Sequence, residues 1–183
     1  KLGTSDTYSI ECGYEAGCLG YSLYHQLTDA GAKCTILAPT TMLTSQGKRI
    51  KTDKRDALMI AQCLSYGGYH AVHVPDEKDD AIKEYLRMRD DHKLMLKKIK
   101  QQINAFCLRH GHFYDGNKWT IKHREWLKTL KLSDLYRETL DEYIATCEEQ
   151  ELKIERLDHR IEELASDSAY KEKVKKLGCF LGI

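Results

Sequence analysis

Between residues 134 and 165 apolar side chains return every three or four positions, and that leaves the chain few folds to choose from. Leu140, Cys147, Ile154 and Ile161 fall at the a positions of a heptad, and Tyr136, Tyr143, Gln150, Leu157 and Leu164 at the d positions. A repeat of that period is helical, and a seam of that length needs a partner helix beside it. Gln150 is the one polar residue in the seam, a known device for fixing register. A second long helix is predicted from Asp76, a suitable N-cap, to about Arg109, with Gly111 as its stop. Along it Ile82, Tyr85, Leu96, Ile99, Ile103 and Phe106 take a and d positions, interrupted by Arg89 and His92. At 1.5 Å per residue it would be roughly 45–50 Å long. Two such helices predict an antiparallel hairpin or a dimerising coiled coil. Between them lie a loop with Gly111, Asp115-Gly116 and Trp119 and a short helix over about 120–130.

The first 76 residues read differently. Tyr8, Ile10 and Cys12 alternate with Ser9 and Glu11, which predicts a strand. A helix over 19–30 follows, with Leu19, Leu23, Tyr24 and Leu27 on one side and Gly31 at its end. Lys33–Ala38 reads as a buried strand closed by Pro39. Strand, helix, strand with short connections is a βαβ unit and implies a parallel sheet. A polar, increasingly basic loop from Thr40 to Lys51 leads to a helix over about Asp53–Leu64, the Gly67-Gly68 break and a short strand, Ala71–Val74. The chain is thus expected to be α/β, with a sheet domain over 1–76, a long helix and basic region over 77–131, and an acidic helix with the start of a further domain over 132–183.

Composition sets the outer bounds. The 183 residues, 42% hydrophobic, suffice to bury a core. No apolar run approaches the roughly 20 residues of a membrane span, and the first residues lack a signal peptide's layout, so a soluble, cytoplasmic protein without a membrane partner is expected. Seven cysteines, scattered singly without a CxxC pair, fit reduced thiols better than a disulfide framework or a zinc site. The chain opens on Lys1 and closes on Cys179-Phe-Leu-Gly-Ile183, and both ends look cut from something longer.

A formal net charge of +1 argues at first against a nucleic-acid partner, but it is a cancellation. Residues 83–131 hold thirteen Lys and Arg against five Asp and Glu, and residues 132–165 hold four against eleven. Phe106, Phe113, Tyr114, Trp119 and Trp126 lie among the basic residues, a mixture in which cations fix phosphates and rings stack on unpaired bases. Lys97, Lys98, Arg109, Lys118, Trp119, Lys122 and Arg124 are the candidates there, with Lys48, Arg49, Lys51, Lys54 and Arg55 around the second helix start. The competing reading is a basic face paired with the acidic helix beside it.

Three carboxylates carry the chemistry. Asp53 and Asp56, at i and i+3, share one helix face with Cβ atoms about 5–6 Å apart, within reach of one or two divalent ions. They continue the stripe Ala57, Ile60, Ala61 and Leu64, so they should point along the sheet, where buried carboxylates call for a metal or a cation. The alternative is ordinary acids at a helix N-terminus, favoured by its dipole. Glu15 follows the first strand at its carboxyl end, the edge where ligands gather in parallel sheets, and should converge on the other two. Glu11, the competing third acid, projects from within the strand. Oxygen-only ligands favour Mg2+ or Mn2+.

These residues resemble a known family. Gly13-Tyr-Glu-Ala-Gly17 with Gly20-Tyr21 and Leu23-Tyr24, Leu37-Ala-Pro39, Lys51-Thr-Asp-x-x-Asp56-Ala57, Val74-Pro-Asp76, Leu108-Arg-His-Gly111, Trp119-Thr120, His123 and Trp126-Leu127 are similar to the DEDD transposases of bacterial insertion sequences. The resemblance implies a RuvC-like, ribonuclease H-type catalytic domain, here a partial one, followed by a long-helix coiled-coil region. It implies metal-dependent DNA strand cleavage and exchange, with DNA and an element-encoded guide RNA as partners and homo-oligomers formed through the coiled coil. Glu15, Asp53 and Asp56 match the second, third and fourth acids of the family's tetrad; the first acid and the C-terminal serine domain have no counterpart in this sequence. The expected function is therefore that of an incomplete transposase chain, inactive alone, or else a non-catalytic nucleic-acid-binding or scaffolding coiled coil. Cys107, His110 and His112 lack a fourth zinc ligand at accepted spacing, nothing marks Thr44 or Ser45 as a nucleophile, and the tyrosines read as core or seam residues.

Overall fold

The computed structural model describes residues 10–42 and 52–180. The expectations for Tyr8, Ser9, Thr44, Ser45, Lys48, Arg49 and Lys51 lie outside the described residues. The chain divides into two units, one up to Asp76 and one from Glu77.

The first unit is built on two parallel strands, β1 (Glu11–Glu15) and β2 (Lys33–Leu37), joined by α1 (Ser22–Asp29). This is the expected βαβ turn of chain. Gly31, at φ +84°, ends the α1 connection as its missing Cβ allows. β1 starts later than alternation predicts and runs through Glu15, in register from Glu11 opposite Lys33 to Glu15 opposite Leu37. Gly13 sits in its middle for a packing reason. A Cβ there would lie 2.8 Å from the Thr35 carbonyl oxygen, 2.8 Å from Leu37 Cδ1 and 3.2 Å from Leu64 Cδ1. This glycine inside the strand is what lets β2 and the next helix approach it.

That helix, α2 (Asp53–Tyr66), ends on Gly67 at φ +68°. With Leu37, Met42 and Cys63 buried and Met59, Ile60, Leu64 and Tyr69 packed round them, it forms the core of the unit. The buried face of α2 is therefore 59, 60, 63 and 64. Ala57 and Ala61, assigned to that face by sequence, are exposed. Instead of a separate strand, residues 70–72 make an antiparallel bridge, Leu37 opposite Ala71, with Val72 N–H donating to the Ile36 carbonyl at 2.8 Å.

The second unit is a helical hairpin. α3 (Glu77–Arg109) has 33 residues and α5 (Asp134–Ala165) has 32, about 50 Å each at the helical rise. They pack antiparallel, and their contacts run in opposite order along the two helices. Lys78 meets Asp167 just past the end of α5 at 3.1 Å, Arg89 meets Asp158 at 2.6 Å, His92 meets Gln150 at 3.0 Å, and Phe106 packs edge-on against Tyr136 and Tyr143. Of the two arrangements open to the heptads, the one within a single chain is present. The polar interruptions of the α3 seam are both paired: His92 finds Gln150 in the facing seam, and Arg89 reaches Asp158 on its flank.

The apolar core lies toward the connecting end, where Ile103, Phe106, Cys107, Leu127, Leu140 and Cys147 are buried. α4 (Ile121–Thr129) fills that end, capped by Thr120 Oγ1, which accepts from His123 N–H. Arg137 ties the α4 terminus down by donating to the Leu127 carbonyl at 3.1 Å and to that of Leu130. The sequence at 131/132 is therefore a joint inside this unit. A short α6 (Lys171–Leu177), not anticipated, follows Tyr170, whose hydroxyl donates to Asp79. No described helix is long and apolar enough to cross a membrane.

Candidate functional site

Glu15 is the last residue of β1 and is exposed. Asp53 and Asp56 occupy the first turn of α2, where the Thr52 carbonyl accepts from Arg55 N–H at 2.9 Å and Asp56 N–H at 3.0 Å. The helix dipole favours acids at this position. Asp56 is half-buried, on the continuation of the Ile60 and Cys63 face, and it has interaction partners; Asp53 is exposed. The expectation that both acids are buried along the sheet is thus met by neither in full, and exposure removes the desolvation argument for an obligatory cation at Glu15 and Asp53.

Leu64 reaches the middle of β1 at Gly13. Asp56 and Asp53 lie about two to three helical turns before that contact on α2, and Glu15 lies two residues beyond it on β1. Among the described residues no three His, Cys, Asp or Glu side chains gather closely enough to hold a metal ion. The oxygen-only donors suit Mg2+ or Mn2+ by chemistry, but the expected three-acid convergence is absent from this arrangement, which therefore does not fit a bound ion as it stands.

The basic candidates fall into two groups. Lys54 and Arg55 are exposed beside the acids on α2; Lys97 and Lys98 are exposed on α3, Arg109 at its end, and Lys118 and Lys122 on either side of Trp119. Trp119 and Arg124 are engaged in packing. Trp119 holds a left-handed backbone, φ +68°, and receives Lys100 Nζ over its ring at 5.1 Å. Arg124 donates to both carboxylate oxygens of Glu151, at 2.8 and 2.9 Å, and Lys100 reaches the same carboxylate at 2.7 Å. Burial would raise the Glu151 carboxyl, but Arg124 and Lys100 outweigh it and hold the group below the usual range. Lys100 and Glu151 were missed by sequence reading. Both sit at e positions of their heptads, the flanking sites where opposite charges pair, so the signal was present.

Behind them lies an aromatic cluster. His123 is 1% exposed, and its Nδ1 accepts from Trp119 N–H at 3.1 Å, which fixes the other nitrogen as the protonated one in the neutral ring. Trp126 stacks on it at 5.6 Å, and Tyr114 and Trp119 meet its edges. Burial pushes its pKa down, helped by Lys118 and Arg124. Phe113, in contrast, is 72% exposed. Cys107 is buried in the core and His110 lies between Phe106 and Tyr136 rings, which leaves a zinc role without support.

The motifs of the first unit and of α3 are shared with other chains. A family model described as a transposase, of the DEDD IS110 type, matches residues 4–111. The chain belongs to the IS110-type DEDD transposases. It is 36% identical over 178 residues to the transposase for insertion sequence element IS1533 of Leptospira borgpetersenii, covering 95% of this chain and 51% of that protein. It is also 40% identical over 116 residues to the protein called "Putative transposase y4qE" of Sinorhizobium fredii, covering 63% of this chain and 30% of that one. The transposase chain described here thus spans about half the length of the first relative and less of the second. No solved structure matches it at a significant level.

Proposed function

We propose that this chain supplies the acidic edge and the nucleic-acid-binding arm of an insertion-sequence transposase, acting in metal-dependent cleavage and exchange of DNA strands in the bacterial cytoplasm. Family membership over residues 4–111, which include all three acids, is the observation that carries this reading. Glu15, Asp53 and Asp56 are the proposed catalytic and metal-holding carboxylates for Mg2+ or Mn2+. Among the described residues these acids do not already form a metal-holding group, and a bound ligand or the rest of a transposase completes it. Lys48, Arg49, Lys51, Lys54 and Arg55 guide phosphate toward them. Lys97, Lys98, Arg109, Lys118 and Lys122 are the basic arm for DNA, or for an element-encoded guide RNA as the family resemblance implies, with Trp119 and Arg124 as its packed base. Met88, Leu94 and Met95 are exposed on α3 and Leu152 on α5, apolar side chains that support association between copies through the hairpin.

A second reading, a non-catalytic nucleic-acid-binding module, is favoured by one observation: the three acids do not gather. Titration of the chain with Mn2+ in the presence of duplex DNA separates the two. The first reading expects D53A and D56A each to weaken Mn2+ binding about tenfold or more, the loss of one direct ligand being worth at least ~1.4 kcal/mol. Unchanged Mn2+ affinity in both variants, with DNA binding intact, overturns it and leaves the second. DNA affinity that fails to fall steeply with salt overturns both, since phosphate neutralisation sets that slope.

A further inference from the structure

Cys12 and Cys34 stand directly opposite each other in the parallel register of β1 and β2. Directly opposed residues of neighbouring parallel strands point to the same face, and the strand spacing of about 4.7–4.9 Å falls inside the Cα separation of about 4.4–6.8 Å that a disulfide accepts. The two thiols differ in access. Cys34 is 9% exposed, under the sheet's cover, while Cys12 is half-exposed, its Sγ donating weakly to the Lys33 carbonyl at 3.5 Å. Burial first, and the Cys12 thiol against it second, push Cys34 up to about 11. The two side chains therefore leave the same face of the strand pair, and burial keeps the inner one as a thiol. The arrangement is a reachable thiol opposite a buried one, on strands whose spacing suits a disulfide.

We propose that Cys12 and Cys34 are a redox-sensitive pair that hydrogen peroxide converts to an intrachain disulfide. The Cys12 thiolate attacks the peroxide O–O bond, an S–O bond forms as the O–O bond breaks, and the leaving oxygen departs as water after taking a proton. Cys34, giving up its proton, then attacks the Cys12 sulfenic sulfur; the S–S bond forms, the S–O bond breaks and a second water leaves. Two thiols are oxidised and one peroxide is reduced. The product closes a covalent loop around α1 and pins β1 to β2 three residues before Glu15, so the strand carrying that acid loses its freedom to shift against its neighbour.

The test uses the full chain treated with stoichiometric hydrogen peroxide, quenched by alkylation and mapped by non-reducing proteolysis and mass spectrometry. The expected result is a linked peptide pair containing Cys12 and Cys34 as the main product, formed as readily in C18S, which removes the exposed thiol nearest in sequence. Its melting temperature should rise on oxidation and return on reduction. Cys12 recovered as sulfinic acid without the link, or linked mainly to Cys18 or Cys179, overturns the proposal. Because the mapping is done on the unaltered chain, poor folding of a Cys12 or Cys34 variant does not affect the outcome.

Discussion

Replacing Glu151 by Gln tests whether the charge division between the two long helices is structural. The carboxylate is met by Arg124 at 2.8 and 2.9 Å and by Lys100 at 2.7 Å, and the three side chains retain 28%, 32% and 24% of their surface respectively. They lie between an exposed pair, worth about 0–1 kcal/mol, and a buried one, whose breaking costs about 3–5 kcal/mol. The amide keeps the shape and part of the hydrogen bonding, so a loss of about 1.5–2.5 kcal/mol is expected at neutral pH. In urea, where m is about 1–3 kcal/mol per M, the midpoint should fall by roughly 1 M. The pH dependence has a definite sign. The folded-state pKa of Glu151 lies below its unfolded value, so its contribution is complete above the unfolded pKa and is lost as pH falls through the folded one. The gap between the natural chain and E151Q should therefore be full at pH 7 and shrink as the pH drops below about 4. A urea midpoint within about 0.2 M of the natural chain at pH 7, or a gap that persists unchanged at pH 3, would refute the reasoning.

G13A should destabilise the first unit by about 1–3 kcal/mol, because the added methyl meets a backbone oxygen that cannot turn aside; circular dichroism during urea unfolding measures it, and an unchanged midpoint contradicts the packing. Q150L should cost about 1–2 kcal/mol by leaving half-buried His92 without its partner, whereas H92L with Q150L should recover that loss. If the single variant matches the double in stability, the His92–Gln150 contact contributes nothing.

The hairpin was legible because both of its cues are local. Seam residues recur at fixed spacing, and Gly31, Gly67 and Gly111 stop elements where the chain needs positive φ. The acidic edge was less legible because it depends on three-dimensional overlap. Ala57 and Ala61 match the apolar stripe in sequence, yet the contact that sets α2 is Leu64 against Gly13, which rotates the buried face and leaves Asp53 exposed. β1 was misplaced because apolar alternation runs out at Cys12: Gly13 has no side chain to mark a face, and its role is close approach. Arg124 and Trp119 read as free ligand-binding residues because one sequence cannot reveal that Glu151 and Lys100 occupy them. α6 escaped notice for want of length: seven residues give too little periodicity to read.

The facing polar residues of the seam also make the hairpin a ruler. Sliding one helix by a heptad, about 10 Å, would preserve most apolar contacts but set His92 against Tyr143 or Leu157 and Gln150 against Tyr85 or Ile99. That penalty selects one graduation from several of similar hydrophobic content. The aromatic end around Phe106 is thereby held about 40 Å from the Lys78–Asp167 end, a length written into the chain by two side chains that contribute little to its core.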